Sequence, residues 1–183
     1  MPLLMDDYHR TEKINGILYN ISPSGGFQHS QINGNLYHAI RKQLKDSICV
    51  VSVENLDLYF SEDEYVIPDV MILCDRTQIK KDKYHGIPRF VAETLSPATS
   101  FKDKTVKKEK YAQLGIEEYW IISPRERSVE IYHLEDESYK LAASYILVED
   151  EEDEHYNADL RLKLKSLPSI EIVLQELFEN IEF

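Results

Sequence analysis

The sequence predicts a mixed fold of class α/β or α+β, in which helices flank a mixed β-sheet in layers around one core. Three observations predict this class. Apolar residues recur at helical spacing near the N-terminus, short strand-like apolar runs follow, and a lysine-rich amphipathic segment stands between two of these runs. With 183 residues and 43% apolar content, the chain is long enough for one domain spanning residues 1–183.

The N-terminal part predicts a β-hairpin followed by a helix. An Asn15-Gly16 pair stands between apolar residues at 12–21, and both positions tolerate positive φ, which favours a tight hairpin. Residues 22–26 (Ser-Pro-Ser-Gly-Gly) break the chain. From about His29 to Lys45 an amphipathic helix is predicted by apolar residues at helical spacing, namely Ile32, Leu36, Ala39, Ile40 and Leu44.

The middle of the chain predicts three strands. Residues 50–60 alternate in polarity as a strand does, and the polar turn at 61–64 leads into an apolar run at 65–73 that carries Asp69. Residues 77–86 are polar and predict a loop with a helical turn. The next apolar run, 89–96, carries Glu93 and ends near Pro97.

The C-terminal half continues the pattern of helices and strands. A helix is predicted from about Asp103 to Leu114, where Gly115 ends it. Four further runs predict strands and a final one predicts a closing helix: strands at 118–124, 129–134, 139–148 and 159–164, then a helix with Ile170, Val173, Leu174 and Leu177 on one face.

The charge distribution bears on the partner. The formal net charge of -12 argues against nucleic acid, because Lys and Arg supply most non-specific affinity for phosphates. Six consecutive acids at 149–154 account for half of that excess and predict a solvated loop. Residues 75–127 hold twelve Lys/Arg against eight Asp/Glu, so the basic part of the chain coincides with the run that carries Glu93.

Asp69 and Glu93 are the candidate catalytic pair. Two carboxylates on neighbouring strands, with a cation close by, could hold a hard divalent metal and act on a phosphodiester. Each acid also has an ordinary structural explanation. Pro68-Asp69 is a common turn dipeptide, and a buried Glu93 could be satisfied by a salt bridge.

A lysine on the helix at 103–114 is the third candidate. Lys107 and Lys110 share one stripe with Asp103, Tyr111 and Leu114, and helical geometry does not separate the two lysines. Either could simply extend along the edge of the core, and Asp103 could favour the helix N-terminus.

Other reactive residues have simpler interpretations. By default, His29 is a capping or satisfied core histidine and Glu12 is part of a cross-strand ion pair. Cys49 and Cys74 are expected to be buried thiols rather than a disulfide. The N-terminus resembles no leader and no run approaches a membrane span, so we expect a soluble, cytoplasmic protein without a membrane partner.

The ordered motifs resemble the Uma-two family of restriction-endonuclease-like proteins, within the PD-(D/E)xK superfamily. They are, in order, Pro68-Asp69-Val70, then Val91 to Thr99, then Asp103-x3-Lys107-x3-Tyr111-x3-Gly115, then Glu118 to Ile121, with Gly16, Ser22-Pro23 and His29-x2-Ile32-x3-Leu36 upstream. The resemblance therefore covers most of the chain.

The resemblance implies a nuclease fold with a mixed sheet flanked by helices, and it implies specific site residues. Asp69, Glu93 and the backbone carbonyl of Thr94 would bind Mg²⁺, for which Mn²⁺ could substitute. It selects Lys107 over Lys110 as the catalytic lysine. Glu12 and His29 would hold a water beside the metal ligands or the edge of the metal site.

The resemblance also implies a nucleic-acid partner, with DNA favoured over RNA, and a homodimer. In the superfamily the lysine normally follows the second acid by two positions, where this chain has Leu95. A catalytically silent nuclease-fold module that binds or regulates is therefore the alternative. A hydrolase using two carboxylates without metal is a third hypothesis.

Overall fold

The computed structural model describes residues 10–21 and 26–182, and it begins with the predicted hairpin. Strand β1 (Thr11–Ile14) pairs antiparallel with β2 (Ile17–Asn20). The turn residues Asn15 and Gly16 both have positive φ, 53° and 74°, which confirms the interpretation of this pair. The predicted chain break lies outside the described residues except at Gly26.

Helix α1 (Gly26–Gln43) begins three residues before the predicted start at His29. Ile32, Leu36 and Ile40 are fully buried, as the apolar periodicity predicted. His29 therefore lies in the first turns of the helix, close to the end that faces the candidate acids.

Both of the first two predicted strands are interrupted. The run at 50–60 forms β3 (Val50–Val53) and β4 (Asp57–Tyr59), and the run at 65–73 forms β5 (Tyr65–Val66) and β6 (Val70–Leu73). The first prediction was wrong because Glu54 adopts a left-handed φ of 53°, which turns the chain into a different sheet. The second was wrong because Pro68 has no amide hydrogen to continue the pairing.

The remaining strands agree more closely with the prediction. After a 3₁₀ turn (Arg76–Gln78), the expected loop contains two short strands. The strands at 118–123, 128–135, 138–146 and 161–163 correspond to the four predicted after Gly115. The bounds are β7 (Ile79–Lys80), β8 (Lys83–Tyr84), β9 (Phe90–Thr94), β10 (Glu118–Ser123), β11 (Ser128–Glu135), β12 (Ser138–Ile146), β13 (Arg161–Lys163) and β14 (Glu171–Val173).

Within the described part of the chain these strands form two six-stranded sheets and one small ladder. The central sheet has the order β12-β11-β10-β9-β6-β3, and the hairpin sheet has the order β2-β1-β5-β4-β8-β7. Strands β9 and β10 run parallel while the other neighbours in the central sheet are antiparallel, so this sheet is mixed as predicted. The ladder pairs β13 with β14.

Alternate residues of the central sheet enter two different cores. Ile72, Phe90 and Trp120 pack on the side of α1, whereas Met71, Val91 and Tyr119 pack on the other side with the hairpin sheet. A strand in the middle of this sheet is therefore buried on both faces, and a carboxylate at its end lies between the two layers.

A helical segment, 100–113, covers the second face. It comprises α2 (Ser100–Lys102), a π-helical turn (Asp103–Lys107) and α3 (Lys108–Gln113). It starts earlier than predicted but ends as predicted. Gly115 has φ 80°, and the amides of Gly115 and Ile116 donate to the carbonyls of Ala112 and Tyr111, which is a Schellman cap.

The closing helix is shorter than predicted. Residues 171–173 belong to β14, and the helix α4 covers only Leu174–Leu177. The apolar residues at 170, 173, 174 and 177 are compatible with the period of a helix or of a strand. Pairing of Ile172 opposite Leu162 makes residues 171–173 a strand. No helix among the described residues is long and apolar enough to cross a membrane.

The expectation of free thiols was wrong, because Cys49 and Cys74 form a disulfide. Antiparallel pairing of β3 with β6 sets Val50 opposite Leu73, and the next pair outward is Cys49 and Cys74. The residue separation of 25 in the chain concealed this contact. The acidic run at 149–154 is exposed between β12 and β13, as its composition predicted.

Candidate active site

Asp69 and Glu93 stand at one end of two adjacent strands. Val70 on β6 pairs with Ala92 on β9, so Asp69 and Glu93 face each other one position further along the same antiparallel register. Both acids line a cavity of about 270 Å³. The structure thus brings together two residues that are far apart in the sequence.

Asp69 is held through one of its two carboxylate oxygens. The backbone N–H of Thr94 donates to Oδ2 at 2.7 Å, and Nε2 of His29 lies 3.1 Å from the same oxygen. These contacts orient the carboxylate and leave Oδ1 for another partner. Thr94 itself is buried, and its hydroxyl donates to Oδ1 of Asn33 at 2.6 Å.

Glu93 is held in the same way from the opposite side. It is 2% exposed, and its Oε1 accepts hydrogen bonds from Lys107 Nζ at 3.0 Å and from the hydroxyl of Tyr111 at 2.5 Å. Both donors reach the same oxygen, which leaves Oε2 for another partner. Burial raises the pKa of Glu93 well above its usual value, and the nearby Asp69 adds to this effect while Lys107 opposes it.

The structure separates the two candidate lysines that helical periodicity could not. Lys107 is 3% exposed and lines the cavity, with Nζ 2.9 Å from Glu12 Oε1 and 3.0 Å from Glu93 Oε1. Lys110 instead pairs with Glu64 at 3.1 Å, on the outside of the helical segment. Burial alone would lower the pKa of Lys107, but Glu12 and Glu93 raise it well above its usual value, so the ammonium stays charged.

Glu12 anchors Lys107 from the hairpin sheet. It is 1% exposed, its Oε1 accepts the backbone N–H of Ile67 at 2.9 Å, and its Oε2 forms an ion pair with Lys102. Burial would raise the pKa of Glu12, but Lys107 and Lys102 hold it below the usual value. Glu12 is therefore a charged partner of the lysine and not a cross-strand pair.

His29 belongs to a second group of polar side chains on the α1 side. Its two ring nitrogens face Asp69 Oδ2 at 3.1 Å and Glu54 Oε1 at 3.5 Å. Although burial alone would lower it, hydrogen bonds to the two carboxylates raise the pKa of His29 to about 10. One ligand atom from each of His29, Glu54 and Asp69 lies within 4.8 Å of the others, which is close enough to surround a cation.

Three residues in or beside the cavity, namely Glu54, Asn33 and Lys102, were not anticipated. Glu54 directly follows an apolar strand, just as Asp69 directly precedes one. Its position at the cavity depends on the left-handed backbone conformation of Glu54 itself. Asn33 lies four residues after His29 on the same helix face, and its Nδ2 donates to Glu54 at 2.7 Å, so helical spacing could have indicated it. Lys102 precedes the predicted helix, and no pattern in the sequence marked it.

The donor set suits a hard divalent metal. Asp69 and Glu93 each offer one carboxylate oxygen that the protein does not already use, and Mg²⁺ prefers such ligands with several waters. Five acidic side chains line the cavity, against Arg10, Lys102, Lys107 and the protonated His29, counted over the described residues. The carboxylate oxygens without protein partners are therefore the feature that suits a bound cation.

The fold is a mixed-sheet fold with two acids and a buried lysine at its cavity, and it is shared with a solved structure. A crystal structure described as a putative nuclease belonging to DUF820, from Anabaena variabilis, superposes with a TM-score of 0.72 and covers 94% of this chain and 91% of that chain. The two sequences are 20% identical, so the likeness establishes the fold. It confirms the predicted fold class.

The chain belongs to the Uma2 family, described as "putative restriction endonuclease", whose model matches residues 1–163. This match confirms the resemblance drawn from the motifs. An uncharacterized protein of Synechocystis sp., slr1290, is 27% identical over 158 residues, which are 85% of this chain and 77% of that protein.

Proposed function

We propose that this protein is a Mg²⁺-dependent nuclease that hydrolyses phosphodiester bonds. The observation that carries the proposal is the convergence of Asp69, Glu93 and Lys107 on one cavity in a chain of the Uma2 family. Isolated acidic pairs are common, but a buried lysine beside the second acid adds a fixed positive charge that can stabilise a phosphoryl transition state. The family description as a restriction endonuclease favours DNA over RNA as substrate.

The metal ligands in this proposal are Asp69, Glu93 and the backbone carbonyl of Thr94. The donor atoms would be Oδ1 and Oε2, because His29, Thr94, Lys107 and Tyr111 engage the other two carboxylate oxygens. When bound, Mg²⁺ supplies a Lewis acid and lowers the pKa of a water molecule. Mn²⁺ would substitute, since it accepts the same oxygen ligands.

Lys107 has the electrostatic role. Its ammonium is held by Glu12 at the cavity wall, where it can offset negative charge that develops on the phosphate oxygens. A positioned cation in a site of low dielectric is worth several kcal/mol to a transition state. His29 and Glu12 act on the ligands and on Lys107, so they support the reaction without touching the substrate.

The second candidate is a catalytically silent nuclease-fold module that binds or regulates. One observation favours it. Protonated His29 compensates Asp69 and Glu54, and Lys107 compensates Glu93, so the protein supplies its own positive charge at every acid near the strand ends. Such a network can be stable without metal.

Metal titration and cleavage together decide between the candidates. Mg²⁺ or Mn²⁺ would be added to the wild type, Asp69→Asn and Glu93→Gln in a calorimeter, and cleavage of double-stranded DNA, single-stranded DNA and RNA would be measured with and without chelator. Binding that both variants lose, with chelator-sensitive cleavage, supports the nuclease. Absence of binding and cleavage in the wild type supports the silent module.

The same proposal includes the domain organisation, the cellular location and the oligomeric state of the protein. The 183 residues form one nuclease domain that acts in the cytoplasm. Because each subunit is acidic, a homodimer would place two basic segments, 75–127, on one nucleic acid. Sedimentation equilibrium with and without DNA measures this.

A further inference from the structure

Asp103 has a carboxylate oxygen without a hydrogen-bond partner inside the cavity. The residue is 1% exposed, and its Oδ1 is buried and accepts no hydrogen bond from the described residues. A buried carboxylate oxygen in this state costs free energy, which a protein normally avoids. The same residue lines the cavity beside Glu93 and Lys107.

This oxygen forms an ion pair with the ammonium of Lys107. The distance from Nζ to Asp103 Oδ1 is 3.6 Å, which is too long for a hydrogen bond, while the distances to Glu12 and Glu93 are 2.9 and 3.0 Å. Three carboxylates of the described chain thus surround one ammonium that carries three protons. The ammonium donates a hydrogen bond to Glu93 and forms a close ion pair with Glu12, and a hydrogen bond to Asp103 needs a shift of well under 1 Å.

Asp103 and Lys107 are the first and last residues of the π-helical turn at 103–107. Residues four apart share one face of a helix, and both of these side chains line the cavity. Single π turns occur frequently at functional sites.

A cation on Glu93 changes the balance among these three acids. It would take up negative charge of Glu93 and repel the ammonium 3.0 Å away, whereas Glu12 is fixed independently by Ile67 and Lys102. The free oxygen of Asp103 is then the acceptor that remains within reach. We propose that Asp103 is a positioning residue that receives Lys107 when Glu93 binds the cation, an inference that rests on the proposed function.

The test compares Asp103→Ala and Asp103→Asn with the conservative variant Asp103→Glu. The matched control is Glu64→Gln, which removes the acidic partner of Lys110. Lys110 lies three residues after Lys107 on the helical segment, outside the cavity. Circular dichroism verifies folding, and the nearly isosteric Asn variant keeps the test valid if the Ala variant does not fold.

Three measurements give the result. In crystals of the wild type soaked in Mn²⁺, we expect Lys107 Nζ within about 3 Å of Asp103 Oδ1 and further from Glu93. In calorimetry, Asp103→Ala should bind Mn²⁺ about tenfold more weakly, with Glu64→Gln unchanged. Cleavage should lose kcat by about tenfold or more without a change in KM, and Asp103→Glu should restore part of it.

The outcomes distinguish this inference from the proposed function. If the wild type binds no Mn²⁺ and cleaves nothing, both are overturned. If the wild type binds Mn²⁺ and cleaves DNA while Lys107 stays on Glu93, or while the Ala and Asn variants match the wild type, the role of Asp103 alone is overturned.

Discussion

The ammonium of Lys107 reaches Oε1 of Glu93 at 3.0 Å from a different element, 14 residues later in the chain. The position two residues after Glu93, where the sequence resemblance led us to expect a lysine, holds Leu95, which packs partly buried against the core. The helical segment thus supplies the charge that strand β9 lacks. A missing lysine in the strand does not by itself make this site inactive.

Replacing Lys107 by Ala should abolish cleavage and leave metal affinity unchanged or slightly improved. The variant keeps both acids but loses the cation near the phosphate. Without metal it should also lose about 3 kcal/mol of unfolding free energy, because Glu93 remains buried without its cationic partner. Urea denaturation with and without Mg²⁺ measures this, and Mg²⁺ should stabilise the variant more than the wild type.

Lys110→Ala is the control for this experiment. It removes a lysine from the same helical stripe, but that lysine pairs with Glu64 at a partly exposed site, where loss of an ion pair costs about 1 kcal/mol or less. Unaltered turnover in Lys107→Ala, or an equal loss in both variants, would contradict the assigned role.

Asp69→Asn and Glu93→Gln should each weaken Mg²⁺ binding strongly, since each removes a charged ligand oxygen. Glu117→Gln, which removes an acid from a surface pair with Arg89, is the matched control and should bind as the wild type does. Calorimetric titration measures all three. Wild-type affinity in either site variant would remove that acid from the ligand set.

The unfolding free energy of the metal-free protein should decrease as pH rises, because His29 contributes to it. Its pKa is about 10 in the folded protein, against 6.5 for a free histidine. Because the folded protein binds this proton more tightly, the contribution is complete below pH 6.5, decreases between 6.5 and 10, and is lost above 10. The unfolding free energies of wild type and His29→Gln, measured across this window, should converge as pH rises.

Tyr111→Phe should weaken the site without removing any charge. The hydroxyl of Tyr111 donates to buried Glu93, so its loss should cost about 2 kcal/mol of stability and reduce metal affinity by about tenfold. Tyr139→Phe removes a hydroxyl that donates to the carbonyl of Ile116 and should cost about 1 kcal/mol with no effect on metal. Equal metal affinity in the two variants would contradict a role of Tyr111 at the site.

Local patterns in the sequence predicted the elements that are determined by residues close together in the chain. The Asn15-Gly16 turn, the apolar face of α1 and the cap at Gly115 each depend on neighbouring residues, and each was correct. The splitting of the strand at Glu54 was missed because nothing in its neighbours demands a left-handed φ. That turn is imposed by the need of the chain to enter a second sheet.

The same distinction explains the candidate site. Helical spacing made Lys107 and Lys110 equal candidates. Only the direction of the strand that bears Glu93 decides which of the two lysines contacts Glu93. Glu54 and Lys102 depend on how separate elements assemble, so no local pattern indicated them. The disulfide of Cys49 with Cys74 is of the same kind, since strand register brings the two together.

That disulfide has a consequence for the far end of the same two strands. Cys49 and Cys74 bracket one end of the β3 and β6 pair, and Glu54 and Asp69 flank the other. A slip of one residue between these strands would turn every second side chain to the opposite layer. The covalent link forbids such a slip, so a bond at one end of the strand pair fixes the register of the two cavity acids at the other end.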